Sequence, residues 1–332
     1  MYSSLSHLGL EPNTPYAPFY MGRAIHAALE SHYANGTPVT EALDAFMEIT
    51  LAEMETSGSS IDSAELSNNM ELMQGIATHY ELWSQKYKGD FADGTLKFVS
   101  LETSFSIPIS DQLTFSGRYD GVVRHLPTGD LYLWETKTTS SMDSFSSWLD
   151  RSEQATGYVW AAQEAGLDVK GVLYNIIRKK EAPWPEVLKS TGMLSVNKSI
   201  DTPAYVYMAA IEEHHADMRS TLSDKEWRDF VKQAYGGVLS ALMAKDSKYV
   251  DRIAVVKTPE ELRTWYTEYV QVAKEMIDPN TPLYRSEGQF NCQFCPFKGP
   301  CDANKKGDLG EEERLKLTMY RPRVLEVHTT GE

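Results

Sequence analysis

Three runs rich in β-branched and aromatic residues follow one another in the chain, with only turn residues between them. They read LKFVSLETSFSIPI, LTFSGRYDGVVRHL and DLYLWETKTT. Such runs predict β-strands, and their short connections predict antiparallel neighbours. The segment SFSSWLDRSEQATGYVWAAQEAG then returns to a helical period, and DVKGVLYNIIRKK is a further strand that we expect to be buried for most of its length. The order strand, strand, strand, helix, strand predicts an α/β fold.

The first quarter of the chain is predicted to be helical. Apolar residues recur at helical spacing in the segments GRAIHAALESHY, TPVTEALDAFMEITLAEME and IDSAELSNNMELMQGIATHYELWSQKY. We expect Thr40 to be the N-cap of the second helix, and Asp62 or Ser63 to be the N-cap of the third.

The second half of the chain is predicted to be mainly helical. The pattern indicates helices at about 203–216 and 223–245 and a short strand around 249–256. Thr258 and Glu261 have the spacing of a capping box and therefore predict the start of one more helix.

Composition excludes several classes of protein. A chain of 332 residues is long enough for one large domain or two smaller ones and needs no disulfide to hold its core. The 32 basic and 47 acidic side chains give a net charge of −15, which argues against a general nucleic-acid coat but leaves a local DNA-binding cleft open. No apolar run approaches the roughly 18 residues of a spanning helix, and the first residues lack a signal-peptide pattern. We therefore expect a cytoplasmic protein without membrane contact.

The acidity is concentrated in the helical first quarter. Residues 24–85 contain ten acidic residues and no Lys or Arg, so they carry −10 of the charge and leave −5 for the other 270 residues. We expect this region to face away from a DNA path or toward a partner.

Two carboxylates and one lysine fall on neighbouring predicted strands. Glu135 and Lys137 are two residues apart, so they point to the same face of the sheet, and Asp120 lies on the strand before. Such a set suits metal-assisted phosphodiester hydrolysis: the carboxylates hold Mg²⁺ or Mn²⁺, and the lysine orients the water or neutralises the transition state. The alternative is a surface ion pair on an edge strand. The apolar run LYLWETK argues instead for a central strand, where an unpaired charge is costly.

The stretch GRYDGVVRHLPTGDLYLWETKTT, with Asp120, Glu135 and Lys137, resembles the PD-(D/E)XK nuclease superfamily. Within it, the sequence is similar to the RecB-like branch that includes CRISPR-associated and phage exonucleases. The resemblance covers about residues 9 to 302. It implies a restriction-endonuclease-like core with a mixed central sheet flanked by helices, a helical N-terminal insertion and a C-terminal cysteine cluster.

The same resemblance divides the chain into parts, which we expect at 1–94 (helical N-terminal region with the histidine ligand), 95–182 (nuclease core), 183–306 (helical C-terminal part of the same domain) and 307–332 (peripheral tail).

Further motifs agree with this resemblance. Gly22 to His26 match the G-x-x-x-H motif of the branch, which implies that His26 is a metal ligand; a lone histidine on a helix is more often core or surface. Gln154 and Tyr158 match the Q-x-x-x-Y motif and lie on one helical face, where they can reach DNA or the lysine. The alternative for this pair is a polar contact between helix and sheet. Glu102 resembles an acidic position often seen in the branch, either supporting the site or purely structural.

The three cysteines of the chain, Cys292, Cys295 and Cys301, are close enough in sequence to meet one metal centre. A redox C-x-x-C pair is the alternative. Many RecB-like nucleases bind a [4Fe–4S] cluster through three such cysteines and a fourth near the N-terminus, which this chain lacks. We expect either an N-terminally shortened protein or a non-cysteine fourth ligand, for which His7 is a candidate, with zinc or an incomplete cluster. Either centre would be structural.

No sequence-reading DNA-binding motif is visible, so we expect contacts to the DNA backbone of single strands or DNA ends. The candidates for phosphate contacts are Arg118, Arg178, Lys179 and Lys180, and the alternative for the last three is a solvated strand end. Trp148, Tyr158 and Trp160 are candidates for base stacking, but we expect each to pack in the core.

These features predict a metal-dependent DNA nuclease, an exonuclease or a DNA-end-processing enzyme that serves recombination, repair or phage replication and works with a recombination or replication protein. The first alternative is a non-catalytic DNA-end or partner-binding module with the nuclease fold. The second is a redox- or zinc-dependent regulatory protein centred on the cysteines.

Overall fold

The computed structural model describes residues 9–13, 17–57, 63–87, 91, 93–245, 248–278, 280–281, 288, 292 and 295–322. Within these residues the strands are Leu10–Pro12 (β1), Leu96–Ser110 (β2), Leu113–His125 (β3), Leu131–Thr139 (β4), Val169–Arg178 (β5), Val250–Val256 (β6) and Tyr320–Pro322 (β7).

The helices of the same residues are Ala17–Asn35 (α1), Val39–Ser57 (α2), Ser63–Glu81 (α3), Met142–Ser146 (α4), Glu153–Glu164 (α5), Ala204–His214 (α6), Ala216–Thr221 (α7), Asp224–Lys245 (α8), Pro259–Ile277 (α9), Lys298–Lys305 (α10) and Leu309–Met319 (α11). A π-helical turn, Leu82–Tyr87, extends α3, and a 3₁₀ turn, Leu149–Arg151, precedes α5.

The central sheet has the strand order β2-β3-β4-β5-β6. Strands β4 and β5 are parallel and joined through α5, whereas the other neighbours are antiparallel. The sheet is therefore mixed, as predicted. Strand β4, which carries Glu135 and Lys137, is the middle strand, so the prediction of a central rather than an edge strand is confirmed.

Helices cover both faces of this sheet. On one face, apolar residues of α1, α2 and α3 pack together and reach Ile177 of β5 and Val250 of β6. On the other face, α5 and α9 pack on strand side chains that point the opposite way, such as Ile176 of β5 and Val255 of β6. Because successive strand residues point to opposite faces, each strand supplies both apolar layers. Helices α6 and α8 form a separate apolar cluster beside the sheet.

One helix start differs from the expectations. Helix α2 begins at Val39, so Thr40 lies inside the helix and is not its N-cap. Its amide and hydroxyl instead contact a Glu81 carboxylate oxygen at 3.5 and 3.4 Å. Helix α3 begins at Ser63, and Asp62 lies outside the described residues. The capping box of Thr258 and Glu261 at the start of α9 is confirmed.

The segment from 144 to 166, expected as one helix, is interrupted. Ser152 has extended backbone angles and its hydroxyl accepts a hydrogen bond from the Ala155 amide, so it caps a new helix and ends the preceding turn. The burial of Met142 and Leu149 fixes the two short turns before it. This break separates the residues around Trp148 from α5.

The segment expected to be a peripheral tail contains helix α11 and strand β7. Strand β7 pairs with β1, so the two ends of the described chain form a small antiparallel sheet. The Tyr320 hydroxyl donates to the Pro296 carbonyl at 2.6 Å, and its ring stacks on Phe297. None of the described helices is long and apolar enough to cross a membrane.

Candidate active site

Asp120 lies where strands β3 and β4 separate. Their pairing runs from Arg124 opposite Leu131 to Gly121 opposite Trp134, which places Asp120 and Glu135 next after the last paired positions. The Thr136 amide of β4 donates to Asp120 Oδ2 at 2.7 Å. A backbone donor that would otherwise belong to the ladder therefore holds the Asp120 carboxylate at the fork.

Lys137 joins the strand to helix α5. Its amine donates to Glu135 Oε1 at 2.5 Å and to Gln154 Oε1 at 2.9 Å. The Gln154 amide in turn donates to the Tyr158 hydroxyl at 3.2 Å. The spacing of Glu135 and Lys137 on the strand and of Gln154 and Tyr158 on the helix thus produces one continuous hydrogen-bonded row.

The Tyr158 ring is held by aromatic packing under strands β2 and β3. It meets Phe105 and Tyr119 edge-on, with ring centroids 5.5 and 5.4 Å apart. A Cβ atom on Gly117 would lie 2.6 Å from the Phe105 ring and 3.4 Å from the Tyr158 ring. The rings of Phe105 and Tyr158 therefore occupy space that a side chain at Gly117 would fill. Because the Tyr158 ring is held in this way, its hydroxyl has a fixed position beside Gln154.

His26 approaches the fork from helix α1. Its Nδ1 lies 3.3 Å from Asp120 Oδ2. Burial alone would lower the pKa of His26, but the hydrogen bond and charge of Asp120, together with the charge of Glu135, raise it above its ordinary value. The imidazole thus faces both carboxylates, although its helix is far from their strands in sequence.

Glu102 on strand β2 faces the same fork. Its φ of 45° lies in the left-handed region, which a residue with a side chain rarely adopts. Its carboxylate pairs with Arg118 Nε at 2.7 Å. Burial, opposed by Arg118 and reinforced by Asp120 and Glu30, raises the pKa of Glu102 to about 6.

The two central carboxylates repel each other. Burial and the charge of Asp120 raise the pKa of Glu135 to about 7, against the opposing effect of Lys137. Only 7% of the Glu135 side chain is exposed, compared with 19% for Asp120. A divalent cation between them would replace repulsion with attraction, which is the condition under which hard oxygen ligands bind Mg²⁺ or Mn²⁺.

The donor set fits such a cation, although it is not arranged as a closed cage. Among the described residues, no group of three or more His, Cys, Asp or Glu side chains is positioned to hold a metal ion. The contacts that hold Asp120 and Glu135 use one oxygen of each carboxylate, Oδ2 and Oε1. Two carboxylates and one imidazole facing a single fork are nevertheless ligands of the kind that Mg²⁺ and Mn²⁺ accept.

A family model for the PD-(D/E)XK nuclease superfamily matches residues 2–302 of the chain. The chain belongs to this superfamily. Its mixed central sheet flanked by helices is the fold expected of a member. No curated protein and no solved structure matches the chain. PD-(D/E)XK enzymes are generally nucleases that hydrolyse phosphodiester bonds and typically use Mg²⁺ or Mn²⁺, so membership indicates a metal-dependent nuclease.

The structure does not support a metal site shared by the three cysteines. Cys292, Cys295 and Cys301 are half-buried, and none forms a disulfide bond with another described residue. The part of the chain that the structure describes does not gather them into a metal-binding group. The expected iron–sulfur or zinc centre is therefore not supported, and His7, its proposed fourth ligand, lies outside the described residues.

Most of the expected phosphate contacts are engaged in ion pairs. Arg178 and Lys180 both approach Asp201 Oδ2, at 3.2 and 2.5 Å, while their side chains stay 25% and 45% exposed. Lys179 is half-buried, and burial lowers its pKa. Arg118 remains 55% exposed although it pairs with Glu102.

The three aromatic candidates for base stacking differ in environment. Tyr158 packs as described, and Trp160 packs against Trp265 and Tyr266 of α9. Trp148, by contrast, is 63% exposed, so the expectation of core packing is wrong for this residue.

Two residues around the site were missed in the sequence. Tyr174 of β5 is paired with Glu135, and the charges of Glu135 and Lys137 act on its hydroxyl. Arg252 of β6 donates to Asn175, whose amide donates to Thr136 at 3.1 Å. The period-2 pattern of β5 could have identified Tyr174, whereas the position of Arg252 depends on strand order and has no local signal.

Proposed function

We propose that this chain is a DNA exonuclease or DNA-end-processing enzyme of the RecB-like branch, serving recombination, repair or phage replication in the cytoplasm. In this proposal His26, Asp120 and Glu135 hold Mg²⁺ or Mn²⁺. The observation that carries it is the Lys137 amine, which lies between Glu135 and Gln154 beside the fork that holds Asp120.

The proposed role of each site residue follows from its charge. When bound, the cation supplies Lewis-acid polarisation of the phosphate and lowers the pKa of a bound water. Asp120 and Glu135 bring the negative charge that attracts the cation, and His26 adds a nitrogen donor. Burial would lower the pKa of Lys137, but Glu135 and Asp120 raise it above its ordinary value, so the ammonium keeps its charge.

The row behind Lys137 keeps its amine in place. A lysine has four flexible carbon atoms, so a lone ammonium would sample several positions. Gln154 accepts one of its hydrogen bonds, and Tyr158 accepts one from Gln154. The amine is thereby held beside Glu135, where it would orient the attacking water or neutralise the transition state. Arg118, exposed and two residues from Asp120 on the same strand face, is the proposed phosphate contact.

The test is digestion of end-labelled DNA, single-stranded and duplex, with Mg²⁺ or Mn²⁺. We expect the wild type to cut and Asp120→Ala and Lys137→Ala to lose at least about 100-fold in rate, the lower end of what a group that stabilises transition-state charge contributes. Asp168→Ala and Lys170→Ala are matched controls, because these two residues form an exposed ion pair with each other.

The outcomes separate the alternatives. Equal cutting by the wild type and both site variants overturns the assignment of the site. DNA binding without cutting in either metal favours the non-catalytic DNA-end module. Closed single-stranded circles that resist digestion while linear strands are shortened from an end support the exonuclease, and cut circles contradict it.

A further inference from the structure

Trp148 is a large aromatic residue that the fold leaves in solvent, on the chain segment that leads into the proposed active site. Its side chain is 63% exposed, although burial of a tryptophan would stabilise the fold more than burial of almost any other residue. The exposed tryptophan lies in the connection between β4, which carries Lys137, and α5, which carries Gln154.

Residues 149 and 150, which follow Trp148 in the turn, are held by the rest of the protein. Leu149, the next residue, is only 4% exposed. The amine of Lys257, whose side chain is 2% exposed, donates to the Asp150 carbonyl at 2.5 Å. The same amine lies 3.5 Å from a Glu261 carboxylate oxygen, so Lys257 links the turn to both the end of β6 and the start of α9. Trp148 is therefore an exposed ring on a rigid support.

The following residues connect this turn directly to the site. Ser152 caps α5, and its side chain interacts with Tyr174, the partner of Glu135 in the sheet. Gln154, two residues later, contacts Lys137. Six residues thus separate Trp148 from the contact with Lys137, and α5 packs on the sheet face that carries Glu135 and Lys137.

The ring also has a cation beside it. The Arg151 guanidinium lies 5.3 Å from the Trp148 ring centroid. An exposed aromatic face combined with a guanidinium matches the two contacts that unpaired DNA offers, because bases stack on aromatic rings while phosphates pair with arginine. A paired base inside a duplex has no free face to stack in this way.

We propose that Trp148 stacks on an unpaired base of the DNA strand that enters the site, and that Arg151 supports it by contacting the adjoining phosphate. This inference rests on the proposed nuclease function and narrows its substrate to single strands or frayed ends. It also assigns to Trp148 a contact that lies outside the motif residues.

The experiment compares Trp148→Ala and Trp148→Phe with the wild type on a fluorescein-labelled oligothymidylate and on a blunt duplex of equal length. Binding is measured by anisotropy with Ca²⁺ and cleavage with Mg²⁺. Because stacking contributes about 1–3 kcal/mol per base, Trp148→Ala is expected to raise Kd and KM for the single strand about 5- to 150-fold. Trp148→Phe should restore most of the loss. The control is Trp184→Ala, which removes another partly exposed tryptophan, 38% exposed, that lines a different pocket together with Gln74 and Thr78 of α3.

Each outcome bears on a different claim. Equal single-strand binding by the wild type and Trp148→Ala overturns the inference and leaves the nuclease proposal intact. An equal loss on blunt duplex also overturns it, since stacking requires an unpaired base. A wild type that binds single strands through Trp148 but does not cut sustains the inference and overturns the nuclease function. A wild type that binds neither DNA overturns both.

Discussion

Lys137 shows at the scale of one residue how the site obtains a defined geometry. Its ammonium is shared between a buried carboxylate, Glu135, and an amide oxygen, Gln154. The Glu135 carboxylate attracts the ammonium by charge, and the Gln154 amide oxygen orients it by a hydrogen bond. Loss of Glu135 should therefore move the amine in another way than loss of Gln154. Tyr158 acts one step further away, because it touches only Gln154 in this row.

We expect a graded series of activities from this row. Lys137→Ala should lower kcat by about 100-fold or more, because it removes the charged group. Gln154→Leu should lower kcat less, by roughly 10-fold, because the amine keeps Glu135 as a partner. Tyr158→Phe should lower it least, since its ring still packs on Phe105 and Tyr119. Single-turnover rates on saturating labelled DNA measure the series, with circular dichroism to confirm folding. A Tyr158→Phe loss larger than that of Gln154→Leu contradicts this order.

The sequence predicted which residues meet, but not the way in which they are held. Spacing put Glu135 with Lys137 on one strand face and Gln154 with Tyr158 on one helical face, because both periods are fixed by backbone geometry. The contact between the two pairs was expected only from the family resemblance. The left-handed backbone of Glu102 was not predictable, since it arises from how β2 passes the fork. The roles of these residues stay predictions.

At the scale of whole elements, strands β5 and β6 lie so close together at Gly171 that no side chain fits between them. A Cβ atom on Gly171 would lie 2.0 Å from the Val255 carbonyl oxygen. That atom belongs to the backbone of the neighbouring strand, so it cannot rotate away. The packing of β6 against β5, and therefore the position of Arg252, depends on glycine at this place.

Gly171→Ala should therefore lower the free energy of unfolding by at least about 2 kcal/mol, since the overpacked strands must separate. Gly236→Ala is the matched control: it lies within α8, and its nearest neighbour would be Lys232 Cγ at 3.7 Å. We expect that variant to gain roughly 0.5–1 kcal/mol from helix propensity. Urea unfolding measures both, and equal stability of Gly171→Ala and wild type would falsify the close approach.

The pairing of elements was predictable where neighbours in sequence are neighbours in space. Strands β2, β3 and β4 follow this rule, and their antiparallel order was predicted from short turns. The pairing of β1 with β7 joins residues as far apart as Leu10 and Pro322, and no local period reports such a contact. The same limit applied to Asp201, whose pairing with Arg178 and Lys180 crosses a long loop.

One helix of the acidic first quarter reaches the candidate site. We expect residues 24–85 to face away from a DNA path or toward a partner, which stays a prediction. Helix α1 of this region supplies His26 to the fork, and the charge of Glu30 acts on Glu102. At least one carboxylate of the acidic region therefore adds its negative charge to the candidate metal site.

A buried histidine in this acidic region makes the stability of the whole molecule sensitive to acid. His79 of α3 is 1% exposed, and its ring meets Tyr249 edge-on at 5.2 Å. Burial lowers the pKa of His79 from 6.5 to about 3, although the nearby carbonyls of Arg178 and Lys180 partly oppose this shift. Neither ring nitrogen has hydrogen-bond geometry to a partner within the described residues.

The sign of the effect follows from where the proton binds. Between pH 6.5 and about 3 the unfolded chain protonates His79 and the folded chain does not. The free energy of unfolding should therefore fall by about 1.4 kcal/mol for each pH unit below 6.5 because of this one group. His79→Leu removes the proton uptake, and every other titrating group is common to both proteins. The difference in unfolding free energy between His79→Leu and wild type, measured in urea at pH 7.5, 6.0 and 5.0, should grow in favour of the variant as pH falls. A difference that stays constant over this range means that His79 binds its proton equally in the folded and unfolded chains, which contradicts the effect of burial on its pKa.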